Sequence, residues 1–501
     1  MPTAERPALL PVPVVHAELE GPHEIELILG VGIRDEPPHL AGITHLAEHL
    51  IMQLAGADST ARNGTTDDRS VWFSSAASRE ECEDFARRIG DAITHVERLT
   101  DEQVARELAI IEIEDPLRFE GLVPALTTIR FGYGGLGLVG AGTPALASIT
   151  RDEVVAWVRD RFTGDRAVVL ISGPWAVEPA LLLPAPPAER TPRIPSARGT
   201  ATPVAVPTEL PGVAMSVIVP ADVSLALDHA LTYDCYQRLR MEERLTYTVD
   251  VHALRIDAST VQLDLVVGAP PEHVRAATTS LVALARSIAV DGFSPLAVAR
   301  GRGDAELLLQ EPTRLIRARA SEEATALLFD EPLVDIDTRL RAGTEMDGEA
   351  LRLAWDAALP SLVLMFSEEA DTGDPEELAR EVGMPIDDMA PSRALSQEEF
   401  ASATRGLRTW RTGIAPLPAR DRFAVDGARL LVRMRDRGWA IDLDRVAVAL
   451  VSDERVVLVS EDGRLFQIGA RSLRHASELV EAVVAAVRAI APERVRRLPS
   501  Q

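Results

Sequence analysis

The chain has 501 residues, 77 acidic and 52 basic, giving a formal net charge of −25 with 46% hydrophobic content. That length asks for about three domain-sized cores, and the charge excludes a nucleic-acid binder that works through phosphate contacts. No apolar run approaches the roughly 20 residues that span a bilayer.

The opening residues carry Glu5 among Pro2, Pro7, Pro11 and Pro13, so they do not read as a signal peptide. Cys82 and Cys235 lie far apart in the chain and form no ligand pair, which predicts a reducing, cytoplasmic setting. Every basic residue is arginine. From residue 401 onward 18 arginines face 12 acids, so this part is net +6 and the remainder carries −31.

Residues 23–33, HEIELILGVGI, contain a period-two apolar pattern and predict a strand. The turn RDEPPHLAG leads into a helix over GITHLAEHLIMQ, 42–53. Residues 69–78 predict a strand and 79–95 a helix. A helix over 101–115 opens on acids and is stopped by Pro116; another over 150–162 opens on a threonine cap, and the strand AVVLISG follows. These predict an α+β unit over 1–175, a mostly antiparallel sheet with helices on one face.

Residues 176–212 are crowded with proline and alanine and predict a linker. A second unit at 213–385 repeats the layout, with strand VAMSVIVPA, a helix over 224–243, strand TVQLDLVVGA, a helix over 272–290, further helices and SLVLMFS. Residues 386–425 predict an irregular connector. Successive strands with turns at Ser-Asp and Asp-Gly, then a helix from Ser472 to Ile490, predict a small β-barrel-like domain over 426–501.

Chemistry concentrates at His45, Glu48 and His49. Positions i, i+3 and i+4 share one helix face, so two imidazoles one turn apart can reach one Zn²⁺ at roughly 2.0–2.1 Å. The glutamate between them can take a proton from a water. The pattern H-x-x-E-H is the inverted form of the zincin motif. An ordinary surface helix also carries His and Glu, but the neighbours Ile43, Leu46, Leu50 and Ile51 would make unpaired ionisable groups costly here. A third ligand decides between the two.

At this motif the chain resembles the insulinase/pitrilysin-like metallopeptidases, or inverzincins, over most of residues 20–385, and in particular their two-domain processing-peptidase-like members. The resemblance implies zinc as cofactor and a third ligand on a later helix, preceded seven residues earlier by a supporting acid. The segment ELAIIEIE supplies Glu114 as ligand and Glu107 as support, with Glu112 the alternative ligand. The interval from His49 to Glu114 is shorter than the family's, because QLAGADSTAR stands where the family places a helix.

The segment ARNGTTDDRSVWF resembles the one whose asparagine, here Asn63, contacts the substrate backbone; an Asn-Gly turn is the structural alternative. In the second unit LRMEERLTY resembles the pattern whose arginine and tyrosine, here Arg240 and Tyr247, hold substrate and assist the oxyanion. The family has glycine where this chain has Arg244. A plain amphipathic helix running into a strand is the alternative there.

The resemblance thus implies a zinc endopeptidase acting on peptides, with Glu48 as base, and with processing of a precursor peptide as an attractive role. It further implies a homodimer, or a heterodimer with a related subunit, in which Arg240 and Tyr247 act in trans. The contrasting expectation is an inactive peptide-binding or scaffold subunit. The C-terminal domain is similar only in strand-and-helix order to a pleckstrin-homology barrel. Its positive balance fits an acidic peptide, a partner or anionic lipid, or simply a solvated arginine-rich surface.

Overall fold

The computed structural model describes residues 8–498 except 57–60, 115–120, 191–199, 369–372, 388–392, 412–420, 435–436, 454 and 470–475. Two five-stranded sheets built on one plan form the body. In the first, Val14–Glu18 runs parallel to Ala167–Gly173, which pairs antiparallel with His23–Leu29; Val71–Ala77 and the edge strand Arg62–Thr66 follow. In the second, Val204–Thr208 runs parallel to Val363–Ser367, followed by Val213–Pro220, Thr260–Val267 and the edge strand Val249–Arg255. In each unit the first and last strands of the sheet pair in parallel while its other described strand pairs are antiparallel, so the halves are structural repeats with an α+β architecture.

One face of each sheet packs on helices of its own unit. Ile43–Leu54, Arg79–Thr94, Asp101–Glu114 and Arg151–Arg161 contribute Leu46, Leu50, Phe85, Ile111 and Val158 to the first core. Leu227, Leu281 and Trp355 do the same in the second. Helices on one face were expected; the strands are apolar on both, and the second face is covered by exchange. Helix Pro312–Phe329 of the second unit lays Ala320 and Ala324 on Val15, Ile28 and Val168 of the first sheet. Helix Leu122–Phe131 of the first unit lays Leu122, Leu126 and Ile129 on Val204, Val206, Val363 and Met365 of the second.

Buried Arg130 fixes that second docking, donating to the carbonyls of Ser216 and Ser361, each at 2.8 Å. Such charge-assisted bonds satisfy carbonyls that would otherwise be costly to bury. The ion pair Arg69–Glu331 ties the halves together on the other side, and Arg255 of the second unit shares the same carboxylate.

Two segments depart from expectation. The Pro/Ala-rich stretch 176–212 supplies a strand at each end: Leu182–Pro184, paired with Leu9–Pro11, and Val204–Thr208 of the second sheet. The connector expected at 386–425 is part of the C-terminal domain. Its short strands Arg393–Leu395, Thr409–Arg411 and Arg422–Val425 complete a five-stranded antiparallel sheet with Arg429–Met434 and Arg437–Asp442.

A four-stranded sheet of Leu465–Gly469, Arg455–Ser460, Val446–Val451 and Val495–Arg497 shares a core with that sheet and with helix Ala476–Ile490, through Leu479, Val483 and Val487. The expected helix start at Ser472 lies outside the described residues, as does Pro116. The domain is anchored on the first unit by Arg496, which donates to Glu153 at 2.6 Å and to the Ser148 carbonyl at 2.7 Å. Among the described residues no single helix is long and apolar enough to cross a membrane.

Candidate active site

The motif helix Ile43–Leu54 starts abruptly because Gly42 holds a left-handed φ of +98°, where a β-carbon would also strike Thr143 at 2.7 Å. Its exposed amides are met by a buried carboxylate. Glu36 accepts from the Gly42 amide at 2.7 Å and from the Thr44 amide at 2.8 Å, taking the place of an N-cap side chain. Burial pushes the Glu36 carboxyl up to about 7 against the pull of these bonds. Ile43, Leu46, Leu50 and Ile51 are fully buried, which fixes the opposite face of the helix, with His45, Glu48 and His49, towards a cleft of about 750 Å³.

His49 organises the cluster. Its Nδ1 lies 3.3 Å from Oε2 of buried Glu107, whose other oxygen accepts from Gln53 at 2.8 Å. A carboxylate there selects the tautomer with the proton on Nδ1 and leaves the Nε2 lone pair facing the cleft. That Nε2 stands 3.1 Å from His45 Nε2 and 3.4 Å from Glu114 Oε2. The three donors, one per residue, lie within 4.8 Å of one another.

Neighbouring ligands on a tetrahedral ion with bonds of 2.0–2.1 Å are about 3.3 Å apart, so the two short separations suit a zinc ion. Two imidazoles and one carboxylate are also the donor set of a catalytic zinc with an open position. The residues fit the metal. Glu112 does not belong to this cluster.

Glu48 sits deeper, 5% exposed, with Oε2 4.0 Å from His45 Nε2 and 3.4 Å from the Thr66 hydroxyl that donates to it. Burial raises its carboxyl to about 7, offset in part by His49 and the Thr66 bond. Its far wall is the edge strand Arg62–Thr66. Asn63 is in that strand, lines the cleft, and donates its amide to Thr65 Oγ1 at 3.2 Å. It is not in a turn.

Arg240 and Tyr247 do not meet this cluster within the chain; the cleft is lined by the first unit alone. Arg240 is in a π-helical turn, Tyr236–Glu242, that extends helix Ser224–Cys235 where one continuous α-helix to 243 was expected. Its Nη1 donates to the Tyr247 carbonyl at 2.5 Å, and its guanidinium lies 5.0 Å from the centre of the Tyr236 ring. Tyr247 itself is 75% exposed. Arg244 adopts φ +58°, so the backbone keeps the glycine-type conformation although the residue is arginine. Sequence reasoning missed Glu36 and Gly64; Glu36 is seven residues before the first residue of the helix it caps, across two prolines, and gave no local capping signal.

Comparison with solved structures gives one consistent result. A protease from Helicobacter pylori superimposes with a TM-score of 0.58 at 16% identity, over 72% of this chain and 99% of that one. The fold is insulinase-like. A peptidase M16 inactive domain from Pseudomonas fluorescens matches with a TM-score of 0.55 at 13% identity, over 72% and 98%. A chain of complex III2 from Candida albicans matches with a TM-score of 0.55 at 13% identity, over 74% and 97%. Proteases and an inactive domain thus share this architecture. No family profile and no curated protein matches the sequence.

Proposed function

We propose that the chain is a zinc-dependent endopeptidase that hydrolyses peptides or small unfolded proteins. The observation that carries this reading is the convergence of His45, His49 and Glu114 beside buried Glu48 in an open cleft. When bound there, zinc would supply Lewis-acid polarisation of a water and of the scissile carbonyl. Glu48 takes the proton from the attacking water and delivers it to the departing amine nitrogen. Glu107 holds His49 in the tautomer that keeps Nε2 available. The outer edge of Arg62–Thr66, which no further strand pairs among the described residues, offers main-chain groups to an extended peptide, which favours tolerance of sequence over strict specificity.

In this reading Tyr247 donates to the oxyanion and Arg240 anchors the substrate, both supplied by a second chain. The separation of these residues from the cleft of their own chain supports a homodimer, or a heterodimer with a related subunit. A reducing, cytoplasmic setting belongs to the proposal; Cys82 and Cys235 are free and buried.

The deciding experiment is Glu48→Gln assayed on a random peptide pool by mass spectrometry, with zinc measured in parallel. Zinc is retained and cleavage is lost; full cleavage in that variant removes Glu48 from the chemistry. A second reading, an inactive peptide-binding or scaffold subunit, is favoured by the fold shared with the inactive domain and with complex III. Equimolar zinc without any cleavage by the unaltered chain would select it.

A further inference from the structure

The outer face of the C-terminal five-stranded sheet carries three arginines in one row. Arg411 is directly opposite Arg422 in the pairing of Thr409–Arg411 with Arg422–Val425, and Arg422 is directly opposite Arg433 in the next pairing. Residues directly opposite point to the same face, with Cβ atoms about 4.5–5.5 Å apart. The adjoining row, Trp410, Phe423 and Val432, faces the core, so the arginines face outward. Arg411 and Arg422 are exposed and Arg433 half-buried.

Helix Gln397–Ala403 covers the neighbouring part of this outer face through Phe400, packed on Ala424, Leu431 and Ala440. The arginine row is at the end of the sheet beside it. Gly438 is opposite Arg433 and adds no side chain that would crowd the guanidinium.

Like charges directly opposite destabilise a sheet, and the chain has 77 acids with which to relieve them. None does so among the described residues. Some arginines of this domain do find acids: Arg429 pairs with Asp426, Arg408 with Glu478, Arg464 with Asp387. A row left unpaired across three strands is therefore a standing electrostatic cost that an anion would remove.

We propose that Arg411, Arg422 and Arg433 form a binding site for a small anion carrying two phosphate groups. Guanidinium forks match phosphate oxygens in bidentate geometry, and two strand spacings give the row a span of about 9.5 Å, enough for two phosphates. A membrane headgroup offers the same chemistry, and titration with a soluble bisphosphate beside anionic vesicles distinguishes the two sources.

The test is calorimetric titration of the full-length protein with fructose 1,6-bisphosphate at low and physiological salt. Binding is expected for the unaltered chain and for Arg455→Gln, an exposed arginine off this face. It weakens at least tenfold in Arg422→Gln and in Arg433→Gln, and weakens with salt. The loss in the row variants separates binding at the row from chelation of a metal elsewhere, and the control variant excludes a general effect of removing one positive charge. Without ligand, Arg422→Gln unfolds at a temperature no lower than the unaltered chain, because a repulsion has been removed. No binding, equal binding by Arg422→Gln, or a lower unfolding temperature for that variant overturns the proposal. So does capture by vesicles of anionic lipid with no response to the bisphosphate.

Discussion

Glu48 and Gly64 share one space: a β-carbon at position 64 would fall 2.0 Å from Glu48 Oε1 and 2.7 Å from its carboxyl carbon. Glycine in the edge strand is what lets the carboxylate lie back against the wall of the cleft. Gly64→Val therefore drives Glu48 out of position. Cleavage of a peptide substrate falls on the order of 100-fold, the scale of a general base. Zinc stoichiometry and the unfolding midpoint change little, because the displaced group is the far end of a flexible side chain. A loss of zinc in parallel with activity would show instead that the strand supports the ligands.

Glu107 acts through His49. Glu107→Gln keeps the shape but removes the charge that selects the tautomer, and zinc affinity drops about 10–100-fold. Competition with a chelator of known affinity measures this; an unchanged affinity contradicts the assignment.

Burial raises the Glu36 carboxyl from its ordinary value of 4.5 to about 7. The folded state thus favours the protonated form. Its contribution is fully present below the unfolded value and is lost as pH rises through about 7. Relative to Glu36→Gln, the unaltered chain loses up to about 3 kcal/mol between those limits. Urea unfolding of both proteins at pH 4.5 and 7.5 reads this difference, and a gain with rising pH would reverse the sign. Glu48 is also raised to about 7. In its proposed role as base it must be ionised, so kcat/KM rises with pH, and a bound cation would bring the midpoint of that limb to pH 7 or below.

A site divided between chains can be reassembled from two defective ones. In the proposed dimer Glu48→Gln and Tyr247→Phe are each expected to be inactive alone. Mixed after brief dissociation, they regain about a quarter of the activity, as random pairing of two complementary defects requires. No recovery at any ratio would mean that Tyr247 serves its own chain or none.

Arg244 occupies the left-handed region at φ +58°. A non-glycine residue there costs roughly 1–2 kcal/mol. Arg244→Gly recovers about 1 kcal/mol of that, read as a higher urea midpoint, while Arg244→Ala does not.

The motif helix was legible because its signal is local: His45, Glu48 and His49 share one turn, and the apolar residues recur at the matching period. Glu107 and Glu114 emerged from a resemblance that supplied their spacing. What stayed hidden depends on partners distant in sequence. The edge strand Arg62–Thr66 is short and polar, and is a strand only because Val71–Ala77 pairs with it. Val204–Thr208 is in a proline-rich stretch and is recruited by Val363–Ser367 from the far end of its unit. The strands of 386–425 are three or four residues long, too short for a period to show, and gain their pairing from the hairpin at 429–442.

The exchanged helices have a consequence for how the body comes apart. Leu122–Phe131 shields the rear of the second sheet and Pro312–Phe329 shields the rear of the first. Neither half can be pulled away without stripping a cover from the other, so the pair behaves as a mutual clasp. Cutting the chain between 185 and 200 should leave two fragments that still travel together and melt in a single transition.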